Sequence, residues 1–287
     1  MASMNIALDS VSYGTKLGSI KVDPRLRIRD TSGLSYVDEV LSGDAGVRGF
    51  VPSTAILFTG TPGAGKTTMA LQLADSLSME GHFVLYNTGE ESLAQVKMCS
   101  ERLELEADFN VGADIFVDLP EGKAVAKRVK QTLRGHIMSL VAEAKKANKG
   151  IKDTQSQRRV YVIVDSLQCM NDGKYGFASN SKTPIRVLEE LVQICKKHYV
   201  TLIIIGQVAK SGEFKGDNTL LHMVDGHMHL SIDQDPKSPT EGKRLLEMRK
   251  NRFGPSGIAV ALDIAKRGLS ELNDRHSGRR VRRVPPK

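Results

Sequence analysis

The chain has 287 residues, 40% of them hydrophobic, and a formal net charge of +8. That length suits one large core with extensions or two small ones. No run of about 18 apolar residues occurs, and the start MASMNIALDS lacks the basic-then-apolar layout of a secretory signal, so a soluble cytoplasmic protein is expected. Cys99, Cys169 and Cys195 lie far apart with no CxxC pair, which argues against a zinc site or a disulfide framework. The charge is unevenly placed. From Asp274 to Lys287 there are six cations (Arg275, Arg279, Arg280, Arg282, Arg283, Lys287) and one anion, against 35 basic and 32 acidic residues elsewhere. The ending RRVRRVPPK predicts a basic, disordered tail over 271–287 that contacts polyanions.

Residues 1–50 read as an N-terminal extension and lead-in, with DPRLRIRD as a basic strand and SYVDEVLS as a short helix. From Thr54 the pattern sharpens. AILFTG is a buried strand, TPGAGK a Gly-rich loop, and TTMALQLADSLSMEG a helix closed by Gly81. HFVLYNTGEES is a second apolar strand with polar residues at its end, followed by the helix SLAQVKMCSERLEL. Between Gly122 and Gly150, the spacing of Val125, Val129, Leu133, Ile137, Leu140 and Val141 predicts one long amphipathic helix. VYVIVDS (160–166) and VTLIIIGQ (200–207) are continuous apolar strands separated by the helix RVLEELVQICKKH. Such alternation predicts an α/β domain over 51–270, with a mainly parallel central sheet and helices on both faces. HMHLSI, KRLLEMR and GIAVALDI read as an antiparallel edge.

GTPGAGKT (60–67) fits GxxxxGK[ST], follows a strand and opens a helix. Its glycines let backbone N–H groups close on a β-phosphate, so Gly60, Pro62, Gly63, Ala64, Gly65, Lys66, Thr67 and Thr68 are expected to hold ATP. Lys66 reaches the β/γ-phosphates, and the Thr67 hydroxyl can hold Mg²⁺. Asp165 ends an all-apolar strand, where a carboxylate beside the loop orients the metal's water shell. Glu90 and Glu91 follow the next strand. Glu90 is the expected base that polarises the attacking water, and Glu91 the residue that starts the following helix. Gln207, ending another core strand, is placed to sense the γ-phosphate.

LLEMRKNRFGPSG (245–257) raises a separate question, because an alternating strand ends in Arg249, Lys250 and Arg252 just before a turn. Charges there can simply protect a solvated edge strand. Taken with the order of GTPGAGKTT, LQLA, TGEES, VIVDSLQ, LLHMVDG and above all KNRFG, however, the stretch resembles the RecA-like ATPases, and most closely the ATPase core of the RadA/Sms family. The family's usual N-terminal four-cysteine motif and C-terminal Lon-like domain have no counterpart here. Gln207 stands where that family usually has His, which is closer to DnaB-type helicases.

The resemblance implies a RecA-like P-loop core in a homo-oligomer, a hexameric ring or helical array. In it, Lys250 and Arg252 reach the ATP of a neighbouring subunit as piston and arginine finger. It also implies that single-stranded or branched DNA binds two loops, through Lys174, Tyr175, Phe177 and Lys182 in the first and Lys210, Phe214 and Lys215 in the second. A DNA motor in recombination, branch migration or unwinding follows, with a recombinase or replication protein as possible partner. The alternatives are a DnaB-like replicative helicase motor and a ring-forming regulatory module with slow hydrolysis.

Overall fold

Three apolar runs form the centre of the molecule: β1 (Ala55–Gly60), β4 (Val160–Asp165) and β5 (Thr201–Ile205). Each is buried along its whole length because each packs helices on both faces. Ile56, Phe58, Tyr161, Ile163, Ile203 and Ile205 enter one core. Ala55, Leu57, Val160, Val162, Val164, Leu202 and Ile204 enter the other. The two-residue alternation of a strand thus survives inside a sequence that shows no polar alternation. The structure, a computed structural model, describes residues 15–42, 47–207 and 218–272.

Around these strands lie β2 (Phe83–Thr88), β3 (Asn110–Gly112), β6 (Gly226–Ile232), β7 (Arg244–Asn251), β8 (Ile258–Ala265) and β9 (Gly268–Glu271). The nine strands described run in the order β3-β2-β4-β5-β1-β6-β7-β8-β9. The pairs from β3 through β6 are parallel and the last three are antiparallel. Helices α1 (Ser35–Val40), α2 (Lys66–Met79) and α3 (Leu93–Leu103) contribute to the first core. The second is covered by α5 (Leu133–Ala147), α6 (Thr183–His198) and α7 (Asn218–Met223), with α4 (Lys123–Ala126) ahead of them. No helix among the described residues is long and apolar enough to cross a membrane.

Four local expectations change. The helix expected across 122–150 is two helices, because Thr132 caps α5 by accepting from Gly135 N. The amides of Leu133 and Arg134 bond to Phe116 O and Val117 O, so the chain docks on a distant segment just where it would have continued coiling. DPRLRIRD holds a 3-10 turn at Pro24–Arg27, since the Asp23 carboxylate accepts Arg25 N, instead of a strand. HMHLSI belongs to the parallel core, as β6 runs parallel to β1 and only its other side is antiparallel. Finally, β7 lies between β6 and β8, which removes a solvated edge strand as the reason for the cations at its end.

Gly60, at the end of β1, is pressed against β6. A Cβ there would sit 2.2 Å from Leu230 O, a backbone atom that cannot swing aside. Gly60→Ala is expected to lose about 1–3 kcal/mol of stability through overpacking, read as a lower urea midpoint. An unchanged midpoint would mean that β1 and β6 separate without cost.

Candidate active site

The carboxyl ends of β1, β2, β4 and β5 share one edge of the sheet, which is where open α/β sheets bind ligands. From β1 the chain enters the Gly-rich loop. Thr61 N bonds to Leu230 O at 3.1 Å and Ala64 N to Thr61 O at 3.2 Å, which closes the turn. Gly65 takes φ +106° at the N-cap of α2, a left-handed conformation that a side chain would strain. Pro62 and Gly63 are exposed on the outside of the loop, Ala64 is buried beneath it, and Thr68 is half-buried in the first turn of α2. The loop therefore delivers the N-terminus of a 14-residue helix to the sheet edge, with unpaired N–H groups and a positive dipole end suited to phosphate.

Lys66 Nζ donates to Gly60 O at 3.0 Å and Thr61 O at 3.2 Å. Burial pushes this ammonium's pKa down, opposed by Asp165 and Glu90. The Thr67 hydroxyl donates to Asp165 Oδ2 at 2.7 Å, and Tyr86 OH donates to the same oxygen at 2.9 Å. Burial raises the pKa of Asp165, only partly offset by those two hydroxyls. Glu90 raises it further through charge. Glu91 has its own pKa raised by burial and then by Asp165 and Glu90, and its Oε2 is buried without a hydrogen-bond partner. The site thus gathers carboxylates that repel one another beside a desolvated ammonium, a charge arrangement that a phosphate with its cation completes. Among the described residues no three His, Cys, Asp or Glu side chains converge on a metal by themselves. Mg²⁺ does not need them, since it keeps several waters and takes further oxygens from the nucleotide; Thr67 and Asp165 are the residues that would hold it.

Glu90 is exposed, and its Oε1 accepts from Gln207 Nε2 at 2.7 Å and from the Ser166 hydroxyl. Gln207 N in turn bonds to Gln168 Oε1 at 3.1 Å. Glu91 does not start the next helix. Ser92 does, with a capping box to Gln95, a Ser-x-x-Gln spacing that carries this signal in the sequence itself. Ser166 and Tyr86 are site residues that the motifs did not single out; each is a hydroxyl at or near the carboxyl end of one of the adjacent strands β4 and β2.

Lys250 and Arg252 stand elsewhere. Lys250 Nζ donates to Leu221 O and, at 2.9 Å, to Val224 O. Arg252 donates to Asp225 Oδ1 at 2.9 Å and His222 O at 3.0 Å. These two cations of the β7–β8 hairpin are therefore gathered on the last residues of α7 and the link from it to β6, and neither bonds to the phosphate loop of its own chain. Asp225 was part of a motif without an assigned role; buried, it also accepts Ala55 N at 3.0 Å and Lys196 Nζ at 3.1 Å. In the first loop expected to bind DNA, Tyr175 and Phe177 are 52% and 57% exposed and Lys174 and Lys182 are exposed beside them. Phe177 packs edge-on against Phe116, and Arg186 lies over Tyr175. Lys210, Phe214 and Lys215 of the second loop, and all but the first two residues of the 271–287 tail, lie outside the described residues.

A strand, phosphate loop and helix beside a strand-end aspartate, within this sheet order, define a RecA-type P-loop ATPase. The chain belongs to the KaiC ATPase family, whose description, "ATPase: KaiC", matches residues 31–270. Among individual proteins, "DNA repair protein RadA" of Brucella abortus is 28% identical over 270 residues, covering 94% of this chain and 49% of that protein. The protein of the same name from Campylobacter jejuni is 30% identical over 239 residues, covering 83% and 45%. The chain thus spans about half the length of these relatives. A solved KaiC-like protein of Pyrococcus horikoshii superposes with a TM-score of 0.59 at 19% identity, over 85% of this chain and 99% of that one. The fold and the RadA-like resemblance read from the motifs are borne out.

Because the folded-state pKa of Asp165 is raised, its ionised form destabilises the protein relative to the unfolded chain. That cost is present at neutral pH and is relieved as pH falls toward the ordinary aspartate value. Asp165→Asn is accordingly expected to stabilise the nucleotide-free protein by about 0.5–2 kcal/mol at pH 7, with a smaller gain at pH 5, while hydrolysis is lost. Thermal melts at the two pH values check this; a variant less stable than wild type at pH 7 would contradict it.

Proposed function

We propose that this chain is an oligomeric, Mg²⁺-dependent ATP-hydrolysing motor that acts on single-stranded or branched DNA in repair or recombination. The hydrolytic part rests on one observation, the 2.7 Å bond from Gln207 Nε2 to Glu90 Oε1. It joins a carboxylate able to take a proton from water to an amide at the end of a different core strand. In this reading the loop N–H groups and Lys66 hold the β- and γ-phosphates, and Glu90 polarises the attacking water. Ser166 and Gln207 hold the Glu90 carboxylate in place, so loss or gain of the γ-phosphate at Gln207 is felt at the base. Bound Mg²⁺ would neutralise charge on the phosphate oxygens through Thr67 and the water shell of Asp165.

Lys250 and Arg252 are assigned to the nucleotide of a neighbouring subunit, where they would offset charge on the transferring phosphoryl group. Their distance in the hydrogen-bond network from their own chain's phosphate loop supports a role in trans. For DNA, the support is the exposed Tyr175 and Phe177 between Lys174 and Lys182, aromatic faces for bases and ammonium groups for phosphates, together with the similarity to proteins named for DNA repair.

Glu90→Gln is expected to lower kcat by about 10²–10⁴-fold while leaving nucleotide affinity near wild type. Steady-state hydrolysis and nucleotide titration separate the two; unchanged turnover would remove Glu90 from the role of base. Single-stranded DNA is expected to raise wild-type turnover several-fold. Arg252→Ala mixed with wild type is expected to depress activity beyond its share of the subunits. Turnover indifferent to DNA, with strictly additive mixtures, would favour a nucleotide-gated ring module instead.

A further inference from the structure

The end of the sheet opposite the phosphate loop carries a cavity of about 420 Å³, within the ~300–1,000 Å³ range of ligand pockets. Pro52 before β1, Val160 at the start of β4 and Tyr199 before β5 form its sheet side, and the last turns of α5 and α6 its walls. Its charged lining is one-sided: Arg25, Lys145, Arg158 and Arg159, with His198, against the single acid Asp23.

That acid is already neutralised. Arg25 holds the Asp23 carboxylate with Nε at 3.0 Å and a terminal nitrogen at 2.7 Å, and this pairing lowers the carboxyl's pKa to about 2. Arg159 is turned inward to Asp30 and Thr154 O. Two guanidinium groups lie over rings: Arg25 is 3.9 Å from the centroid of Tyr199, and Arg158 is 4.4 Å from that of Phe83. Arg158 spends only its Nε, on Gly81 O, so its two terminal nitrogens remain available at the surface. Exposed Lys145 lines the same space; burial, followed by the charges of Lys145 and Lys197, holds His198 below its ordinary pKa.

Lysines at the ends of α5 and α6 suit the negative end of a helix dipole, but that does not account for Arg25, in the 3-10 turn at Pro24–Arg27, or for Arg158, in the loop before β4. Cations from three separate segments converge on one concavity; of the two guanidinium groups set over rings, Arg25 spends its fork on Asp23 and Arg158 presents its terminal nitrogens to the space. A stacked, pre-oriented guanidinium is the form in which arginine recognises phosphate.

We propose that this cavity is a second phosphate-binding site, remote from the phosphate loop, which takes a phosphate ester either from a nucleic-acid strand running over the outer end of the sheet or from a free phosphate compound. The nucleic-acid source rests on the DNA reading above; the site itself does not. As the residues come from opposite ends of the strands from Lys66 and Glu90, ATP hydrolysis without DNA is expected to be unaffected by changes here.

The test compares wild type with Lys145→Glu/Arg158→Glu and with Lys145→Glu alone, whose exposed position leaves the Phe83 stacking intact. Binding of a labelled single-stranded oligonucleotide is followed by anisotropy over a series of salt concentrations, and inorganic pyrophosphate is titrated by calorimetry. If a strand is the ligand, the double variant lowers the slope of log affinity against log salt by about 1.4 units, the loss expected for two phosphate contacts, and the single variant by about half that. If a free compound is the ligand, the slope is unchanged and the pyrophosphate stoichiometry falls from two per chain to one. Equal slopes and equal stoichiometry across all three proteins overturn the site. A wild type that binds no oligonucleotide but still takes two pyrophosphates refutes the DNA reading and leaves the cavity standing.

Discussion

Two hydroxyl protons meet at one carboxylate oxygen, Asp165 Oδ2. One comes from Thr67 at the head of α2 and the other from Tyr86 in β2. This shared acceptor ties together the phosphate-loop helix and two neighbouring strands at the edge where the chemistry sits. It sits in a buried place, where an isolated carboxylate charge is unfavourable, and the two donors together with the charge of Lys66 offset part of that cost. The rest of the site is arranged around that constraint. Lys66 bonds to loop carbonyls, Glu91 keeps an oxygen without a partner, and Glu90 stands out at the surface. Polar groups that oppose one another in this way are characteristic of a site shaped for a ligand instead of for its own stability.

The sheet is what allows such an arrangement. Apolar residues fill both faces of β1, β4 and β5, so the strands cannot slip by one residue without exchanging every side chain between the two cores. Register is thereby fixed, and with it the level at which Gly60, Thr88, Asp165 and Gln207 leave the sheet. Close approach of the loop strand to β6 at Gly60 and Leu230 O has the same origin. Backbone packing, more than any single side chain, sets the position of the phosphate loop.

Much of this was legible from residue order. Continuous apolar strands, the Gly-rich loop with Lys66 and Thr67, and the strand-end Asp165 each follow from local pattern, and so does the helix at Ser35–Val40. What escaped the sequence depends on partners far along the chain. The break before Leu133 requires carbonyls at Phe116 and Val117 to be nearby, which periodicity does not encode. The parallel pairing of β6 with β1 leaves no mark in HMHLSI, because a period of two is common to both strand orientations. Ser166 and Tyr86 become site residues only once β2 and β4 lie side by side. Ser92 is a different case, since its spacing to Gln95 was a local signal beside two more conspicuous glutamates.

Asp225 has a consequence for any engagement between subunits. One of its oxygens receives both Lys196 and Arg252, and the other holds the first amide of the phosphate-loop strand. An Arg252 that reaches for another chain's nucleotide therefore has to leave a buried carboxylate behind, with Lys196 as its remaining cation. Such a contact is an exchange of ion-pair partners instead of an addition, so its net free energy is a small difference between two large interactions. Small differences reverse easily, so in the proposed oligomer a swap of this kind would let one subunit grip and release another.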